Sequence, residues 1–324
     1  MISGKTIAFY DNNLTYRGTS IAVYNYADYN EKILGGKSII MAKPDDNMNK
    51  AQKKFEARFP TYCGWWNHND FENFMTENKV DYFYSIRAGN PSDGPILTNV
   101  PTLVHAVFII QNPCPHGDRF AYVSDWLARY QGYDPEKYSV PHMVEKLPTS
   151  PINLREKLGI PENQTVFGYY GGSTEFNIGF VHQAIKDIVN QRKDITFLFM
   201  NINAFSEPND NIIHLPGTWD LQQKSSFINA CDAMLHARYG GETFGLACGE
   251  FALENKPIIT YKPSTEAHHI EVLGDWGIYY SNYDDLLHIL NNLQSYKKFD
   301  DYFTPYLRFS PEIIMDKFKK VFLT

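Results

Sequence analysis

Two glutamates, Glu242 and Glu250, are separated by seven residues in the string Gly240-Gly-Glu-Thr-Phe-Gly-Leu-Ala-Cys-Gly-Glu-Phe-Ala-Leu-Glu-Asn-Lys-Pro. An ionised carboxylate is an acceptor with two oxygens, suited to paired hydroxyls. The string follows an apolar strand, Ala233-Met-Leu-His, and runs into a helix expected over 244–253. Glu242 then falls in the loop at the strand's carboxyl end, and Gly245 lets a ligand approach the backbone. The amides of Phe244, Gly245 and Leu246 at the helix start favour an anion. Glu250, about two turns into the helix, is placed to accept both hydrogen bonds of a ribose cis-diol. Taken singly, each glutamate would read as a helix cap or a solvated side chain; the whole string shifts that balance.

A second segment, Gly171-Gly-Ser-Thr-Glu-Phe-Asn-Ile, follows the apolar run Thr165–Tyr170. Gly171, Gly172, Ser173 and Thr174 between a strand and a helix would cradle a phosphate with amides and hydroxyls, although Ser173 or Thr174 equally suits a helix N-cap. Other candidates are scattered. Arg238 lies just beyond the strand ending at His236, and Lys262 just beyond the one ending at Tyr261. Glu266, His268 and His269 share the segment Lys262-Pro-Ser-Thr-Glu-Ala-His-His-Ile; a histidine pair without a third ligand at suitable spacing leaves no metal site expected. Arg17 and Gly18 sit in Tyr16-Arg-Gly-Thr-Ser, and His105 in the apolar run Pro101-Thr-Leu-Val-His-Ala-Val-Phe, where a histidine is as readily a core residue. The acidic pairs Asp45-Asp46, Asp284-Asp285 and Asp300-Asp301 lack a strand-end context and read as solvated loop or helix-start residues.

The elements that must position these residues alternate in a β-loop-α rhythm. Strands are expected at 6–10, 38–42, 80–85, 102–109 and 120–123, with helices over 19–32 and from Ser124. Residues 139–153 hold three prolines and read as a linker. A short helix over 154–158 follows, and the rhythm restarts with strands at 165–170, 195–200, 212–215, 233–236 and 257–261 and helices from Ile178, over 221–231 and over 244–253. A helical stretch over 309–322 ends the chain. Both halves are doubly wound, so ligands belong at the carboxyl ends of the strands, and a pair of such sheets facing each other would enclose a cleft.

A length of 324 residues suits two domains, expected at 1–148, joined by a C-terminal helix over 305–324, and at 149–304. A net charge of −7 argues against a large nucleic-acid footprint. The four cysteines show no pairing or metal-ligand spacing, which fits a reducing, cytoplasmic setting. The N-terminal run MISGKTIAFYDNN reads as a first strand rather than a signal peptide. No stretch approaches the ~18 apolar residues of a membrane span, so any membrane contact would be peripheral.

The Glu242-Thr-Phe-Gly-Leu … Glu250 … Asn255-Lys-Pro string resembles the Glu-x7-Glu signature of retaining GT-B glycosyltransferases (glycosyltransferase family 4-like). Asp118-Arg-Phe-Ala-Tyr-Val-Ser-Asp-Trp-Leu is similar to that family's strand ending in Val-Ser before a helix. The resemblance runs along the whole chain in order and is sharpest over 165–275. It implies an α/β GT-B fold of two Rossmann-like domains across a cleft. It implies transfer of a sugar from a nucleotide diphosphate sugar to a hydroxyl of a glycan, lipid or small molecule, with retention, without metal, and with no cofactor beyond that co-substrate. Carried over residue by residue, Glu242 and His105 would touch the donor sugar, Glu250 the ribose, Glu266 the donor, and Arg17 and Gly18 the phosphate or acceptor. The Arg and Lys that such proteins place in the phosphate turn are absent here, where Gly172, Ser173 and Asn177 stand instead. That charge would have to come from Arg238 or Lys262. Competing readings are a non-catalytic sugar- or nucleotide-binding module of the same fold, a sugar-nucleotide epimerase or phosphorylase, and a transferase acting on modified DNA.

Overall fold

A computed structural model of the chain describes residues 4–44, 50–296 and 305–324. Met1–Ser3 and the pairs Asp45-Asp46 and Asp300-Asp301 lie outside the described residues. The chain divides into two compact units, one of Met1–Met143 with Phe309–Thr324 and the other of Val144–Arg308.

The first unit is built on six strands: β1 (Thr6–Asp11), β2 (Lys37–Ala42), β3 (Thr61–Cys63), β4 (Tyr82–Arg87), β5 (Thr102–Ala106) and β6 (Arg119–Tyr122). All pair in parallel, in the order β3-β2-β1-β4-β5-β6. β1, β2, β4 and β5 are apolar runs buried on both faces, as a sheet covered by helices on both sides requires. The helix Gly18–Lys32 lays Ala22, Val23, Tyr26 and Ala27 on the sheet. The C-terminal helix Pro311–Phe318 packs in the same unit: Phe318 stacks on Tyr26 at 5.3 Å, and the Lys317 ammonium lies 2.9 Å from Asp125. The Val-Ser before a helix is realised, with Ser124 Oγ accepting from the Leu127 amide at 3.0 Å to cap the helix Asp125–Tyr130.

The second unit repeats the plan with β7 (Thr165–Tyr170), β8 (Ile195–Met200), β9 (Ile212–Leu215) and β10 (Ala233–His236). After the two-residue strand β11 (Gly241–Glu242) come β12 (Ile258–Tyr261), the two-residue β13 (Glu266–Ala267) and β14 (Ile278–Tyr280). The main sheet runs β14-β12-β10-β7-β8-β9, again all parallel. Each sheet therefore reverses its direction of build once, between β1 and β4 and between β7 and β10. The crevice outside the carboxyl ends at such a reversal is where open α/β sheets take ligands.

Several boundaries depart from the sequence reading. β5 stops at Ala106 rather than Ile109, and the helix expected from Phe244 begins at Leu246. Gly245 takes a left-handed φ of 88°, which an ongoing right-handed helix cannot contain. Asp284 and Asp285 occupy the first turn of the helix Tyr283–Asn291, as expected of that pair. Among the described residues no helix is long and apolar enough to cross a membrane.

Candidate functional site

The switch point of the second sheet is flanked by Tyr170 at the end of β7 and His236 at the end of β10. His236 is fully buried; its Nδ1 lies 2.8 Å from Thr260 Oγ1 and its Nε2 3.2 Å from Glu242 Oε1. Thr260 Oγ1 in turn lies 3.0 Å from Nε2 of the buried His269. With Glu242 ionised and His236 a neutral imidazole, the directions follow. The carboxylate can only accept, so His236 Nε2–H donates to it, Thr260 donates to His236 Nδ1, and His269 Nε2–H donates to Thr260. Burial pushes the His269 imidazole well below its ordinary pKa, which keeps it neutral for this role.

Glu242 is fixed by backbone as well as side chain. β11 and β13 form a parallel ladder pairing Gly241 with Glu266 and Glu242 with Ala267, and the Glu266 amide donates to the Gly240 carbonyl at 2.7 Å. Gly241 has φ +82°, and a Cβ there would lie 2.0 Å from the Glu266 carbonyl oxygen, so the ladder requires glycine at this point.

Arg238, two residues past the end of β10, collects the acidic side chains. Its Nε donates to Glu175 at 2.5 Å and its Nη1 to Glu242 at 3.1 Å, while Glu266 lies 3.7 Å away. Burial opposes its charge, but Glu242, Glu175 and Glu266 together hold its pKa above the ordinary value. Burial likewise pushes Glu242 up, and the His236 hydrogen bond and the Arg238 charge outweigh it, leaving Glu242 below the usual carboxylate range. Glu266 goes the other way. Burial raises it to about 7, with Glu242 and Glu175 adding to the rise and Arg238 opposing it. A held carboxylate thus stands beside a carboxyl that exchanges its proton near neutrality, a pairing able to separate acceptor and proton-transfer roles.

A second arrangement surrounds Glu250, in the helix Leu246–Leu253. It is buried; Lys224 Nζ reaches both of its oxygens, at 2.8 and 3.1 Å, and the Tyr170 hydroxyl donates to Oε2. The Lys224 ammonium also lies 5.2 Å over the Tyr170 ring. Tyr170 ends β7, so Glu250 reaches the same strand ends as Glu242 from the other side of the switch point.

The structure thus brings Glu242, Arg238 and Glu266 into contact and sets Glu250 in a separate ion pair. Phe244 is buried against the His268 ring at 5.2 Å, Gly245 caps the helix, and Leu246 begins it. The Gly171–Thr174 turn stands apart from any helix start, because the next helix begins at Gly179 with Ile178 as its cap. Neither Ser173 nor Thr174 is therefore an N-cap. The turn is held by Asn201, whose amide donates to the Gly171 carbonyl at 2.7 Å, and by the Asn203 amide, which donates to the Ser173 carbonyl at 2.9 Å. Asn177, in place of the expected cation, accepts from the Tyr239 amide at 2.8 Å.

Arg238, expected as a cation for phosphate, is enclosed by three carboxylates, and Lys262 is exposed, 5.4 Å over the Tyr279 ring. In the first unit, Arg17 is the exposed cap before the helix that opens at Gly18. His105, read both as a core residue and as a contact to a donor sugar, is fully buried: Nδ1 lies 2.6 Å from the Tyr84 hydroxyl and Nε2 2.8 Å from the Val140 carbonyl, and burial drives its pKa to about 3. Sequence reading missed Glu175, His236, Thr260, Lys224 and Tyr170; only Tyr170 and His236, as the last residues of apolar strands, carried a signal of position. Among the described residues no group of three or more His, Cys, Asp or Glu is arranged to hold a metal ion.

No protein-family model matches the chain, and no curated protein does. Solved structures do. Two doubly wound units of this topology make a GT-B fold, and similarity extends over nearly the whole chain. A glycosyltransferase from Rickettsia africae ESF-5 is 16% identical, with 98% of each chain covered and a TM-score of 0.74. Anabaena Alr3699/HepE, in complex with UDP and glucose, is 14% identical over 98% of each chain, with a TM-score of 0.68. WaaG, a glycosyltransferase involved in lipopolysaccharide biosynthesis, is 14% identical over 92% of this chain and 97% of its own, with a TM-score of 0.60.

Proposed function

We propose that the protein is a glycosyltransferase that moves a sugar from a nucleotide diphosphate sugar to a hydroxyl acceptor, with retention, and that its second unit binds the donor. The observation that carries this reading is the placement of Glu242 at the β10 end, held by His236, Arg238 and the β11–β13 ladder, with Glu250 at the β7 end across the same switch point. The spacing of the two glutamates supports membership of the Glu-x7-Glu group. The glycosyltransferase of like fold from Rickettsia africae and the similar Anabaena Alr3699/HepE, with UDP and glucose bound, support a nucleotide sugar as donor and UDP as the first nucleotide to try.

In this reading the ionised Glu242 accepts hydrogen bonds from donor-sugar hydroxyls, and Glu250, with Lys224, receives the ribose. Cleavage of the anomeric bond develops negative charge on the departing diphosphate, so stabilisation there lowers the barrier. The backbone at Gly245–Leu246 would supply part of it. Arg238 would supply the rest by exchanging its Glu175 contact for a phosphate oxygen.

Calorimetry with UDP, GDP and ADP and their sugars, coupled to a turnover assay, tests this. Glu250→Ala is expected to lose nucleotide binding, and Glu242→Ala to lose turnover while remaining folded; full activity in either variant would overturn the site. The carboxylates enclosing Arg238 favour one alternative, a non-catalytic module of the same fold, for which a nucleotide would bind without any donor hydrolysis or transfer.

A further inference from the structure

The first unit carries a groove of about 590 Å3 that no part of the donor reading uses. It lies along the edge strand β3 and the loop that follows it. The Gly64 amide donates to the Ala42 carbonyl at 3.0 Å and Trp66 Nε1 to the same oxygen at 3.1 Å, which ties the loop after β3 to the end of β2. One wall is aromatic. Trp66 is packed on Phe71 at 5.7 Å and on Phe74 at 5.4 Å, and Tyr62 meets Phe74 at 4.9 Å, so the wall is held against the helix that carries those two rings. Trp65 beside it is 77% exposed and Tyr62 42%, an unusual outlay of aromatic surface to water. The adjoining wall is the helix His68–Glu77, whose buried side, Phe71, Phe74 and Met75, is what the aromatic wall packs on. Asp70, Asn73 and Glu77, at spacings of three and four, fall on one face of it and line the groove.

We propose that this groove binds a neutral sugar ring of a glycan. A pyranose has apolar C–H faces, which cover exposed indole and phenol rings, and a rim of hydroxyls that donate to carboxylate and amide oxygens. Both surfaces are present, side by side, lining one space of ordinary ligand size. None of the residues lining the groove is cationic, and two are carboxylates, which disfavours phosphate and nucleic acid. Assigning the glycan as the acceptor rests on the transferase reading; sugar binding itself does not.

The test is saturation-transfer NMR and tryptophan fluorescence on the full chain with cellohexaose and chitohexaose as probes, and tetramethylammonium as a competitor. Saturation of ring protons is expected, with affinity falling about tenfold in Trp65→Ala and in the Asn73→Ala, Glu77→Ala pair, all at exposed positions that should leave the melting curve unchanged. Binding of neither oligosaccharide, or binding that Trp65→Ala leaves intact, overturns the proposal. Tetramethylammonium binding in preference to sugar overturns it in favour of a cation cage. Oligosaccharide binding lost in Trp65→Ala, in a protein that takes no nucleotide, leaves the groove standing while the transferase reading falls; nucleotide-sugar turnover without groove binding does the reverse.

Discussion

Glu242 and Glu266 are neighbours in a two-residue parallel ladder, and both carboxyls turn to one guanidinium, at 3.1 and 3.7 Å from Arg238 Nη1. The ladder is made by loops that follow different strands, so it fixes two strand-end side chains against each other rather than leaving either on a free loop. Gly241 sits at its start with a left-handed φ.

Gly241→Ala should therefore be far worse than its neighbour Gly240→Ala. The new methyl would collide with the Glu266 carbonyl and would sit at positive φ, whereas a Cβ at Gly240 meets nothing within 4 Å. We expect a loss of about 2 kcal/mol or more at position 241 and under about 1 kcal/mol at 240. Chemical denaturation of both variants measures this; equal stability would mean the ladder is not formed in solution.

Glu266 makes stability depend on pH in a definite direction. Its pKa is raised from 4.5 to about 7, so the folded protein holds a proton that the unfolded chain has released. The unfolded state binds fewer protons between these values, and stability falls as pH rises from about 4.5 to about 7. Glu266→Gln removes that slope and should raise the melting temperature relative to the parent at pH 8 but not at pH 4.5. Melting curves across that range decide it; a parent-like slope in Glu266→Gln would place the titration elsewhere.

The buried pair Lys224–Glu250 allows a separate measurement. Lys224→Met leaves a buried carboxylate without its cation, which costs about 3 to 5 kcal/mol, whereas Lys224→Met with Glu250→Met replaces both charges and should recover most of that loss. Nucleotide binding does not recover with stability if Glu250 holds the ribose. A stable double variant that still binds UDP would remove Glu250 from the donor site.

Much of the architecture was readable because its strands are uninterrupted apolar runs. Thr165–Tyr170, Ile195–Met200, Ile212–Leu215 and Ala233–His236 stand in the structure at the bounds their residues imply. The short β3 and β14, of three residues each, lack the length for such a pattern, and β3 is only partly buried. Glu242 and Glu250 were singled out by their spacing, but their partners in the structure were not. Glu175 meets Arg238 across 63 positions, and the ladder joining Glu242 to Glu266 has no local signal, since its two-residue strands exist only where the loops meet. Lys224 looks like any surface lysine of a polar helix; its burial comes with its contacts to Tyr170 and Glu250, which only folding brings to it. His105 shows the converse. Its type invited a catalytic role, while the Tyr84 hydroxyl and Val140 carbonyl, which satisfy both ring nitrogens, are brought there by folding.

Replacing His105 separates these two roles. As a core residue it fixes Tyr84 and the Val140 segment, so His105→Ala leaves a cavity, a buried hydroxyl without its acceptor, and a Val140 carbonyl with only the longer 3.4 Å hydrogen bond from Tyr26. Together these should cost about 3 to 5 kcal/mol. A donor-binding histidine would instead change nucleotide-sugar affinity while leaving the fold largely alone. At a temperature where the variant remains folded, its affinity for a nucleotide sugar should match the parent within about twofold, since 1.4 kcal/mol of lost contact would already appear as tenfold. Calorimetry on the folded variant, paired with its denaturation curve, reads both quantities, and weakened binding at unchanged stability would return His105 to the donor site.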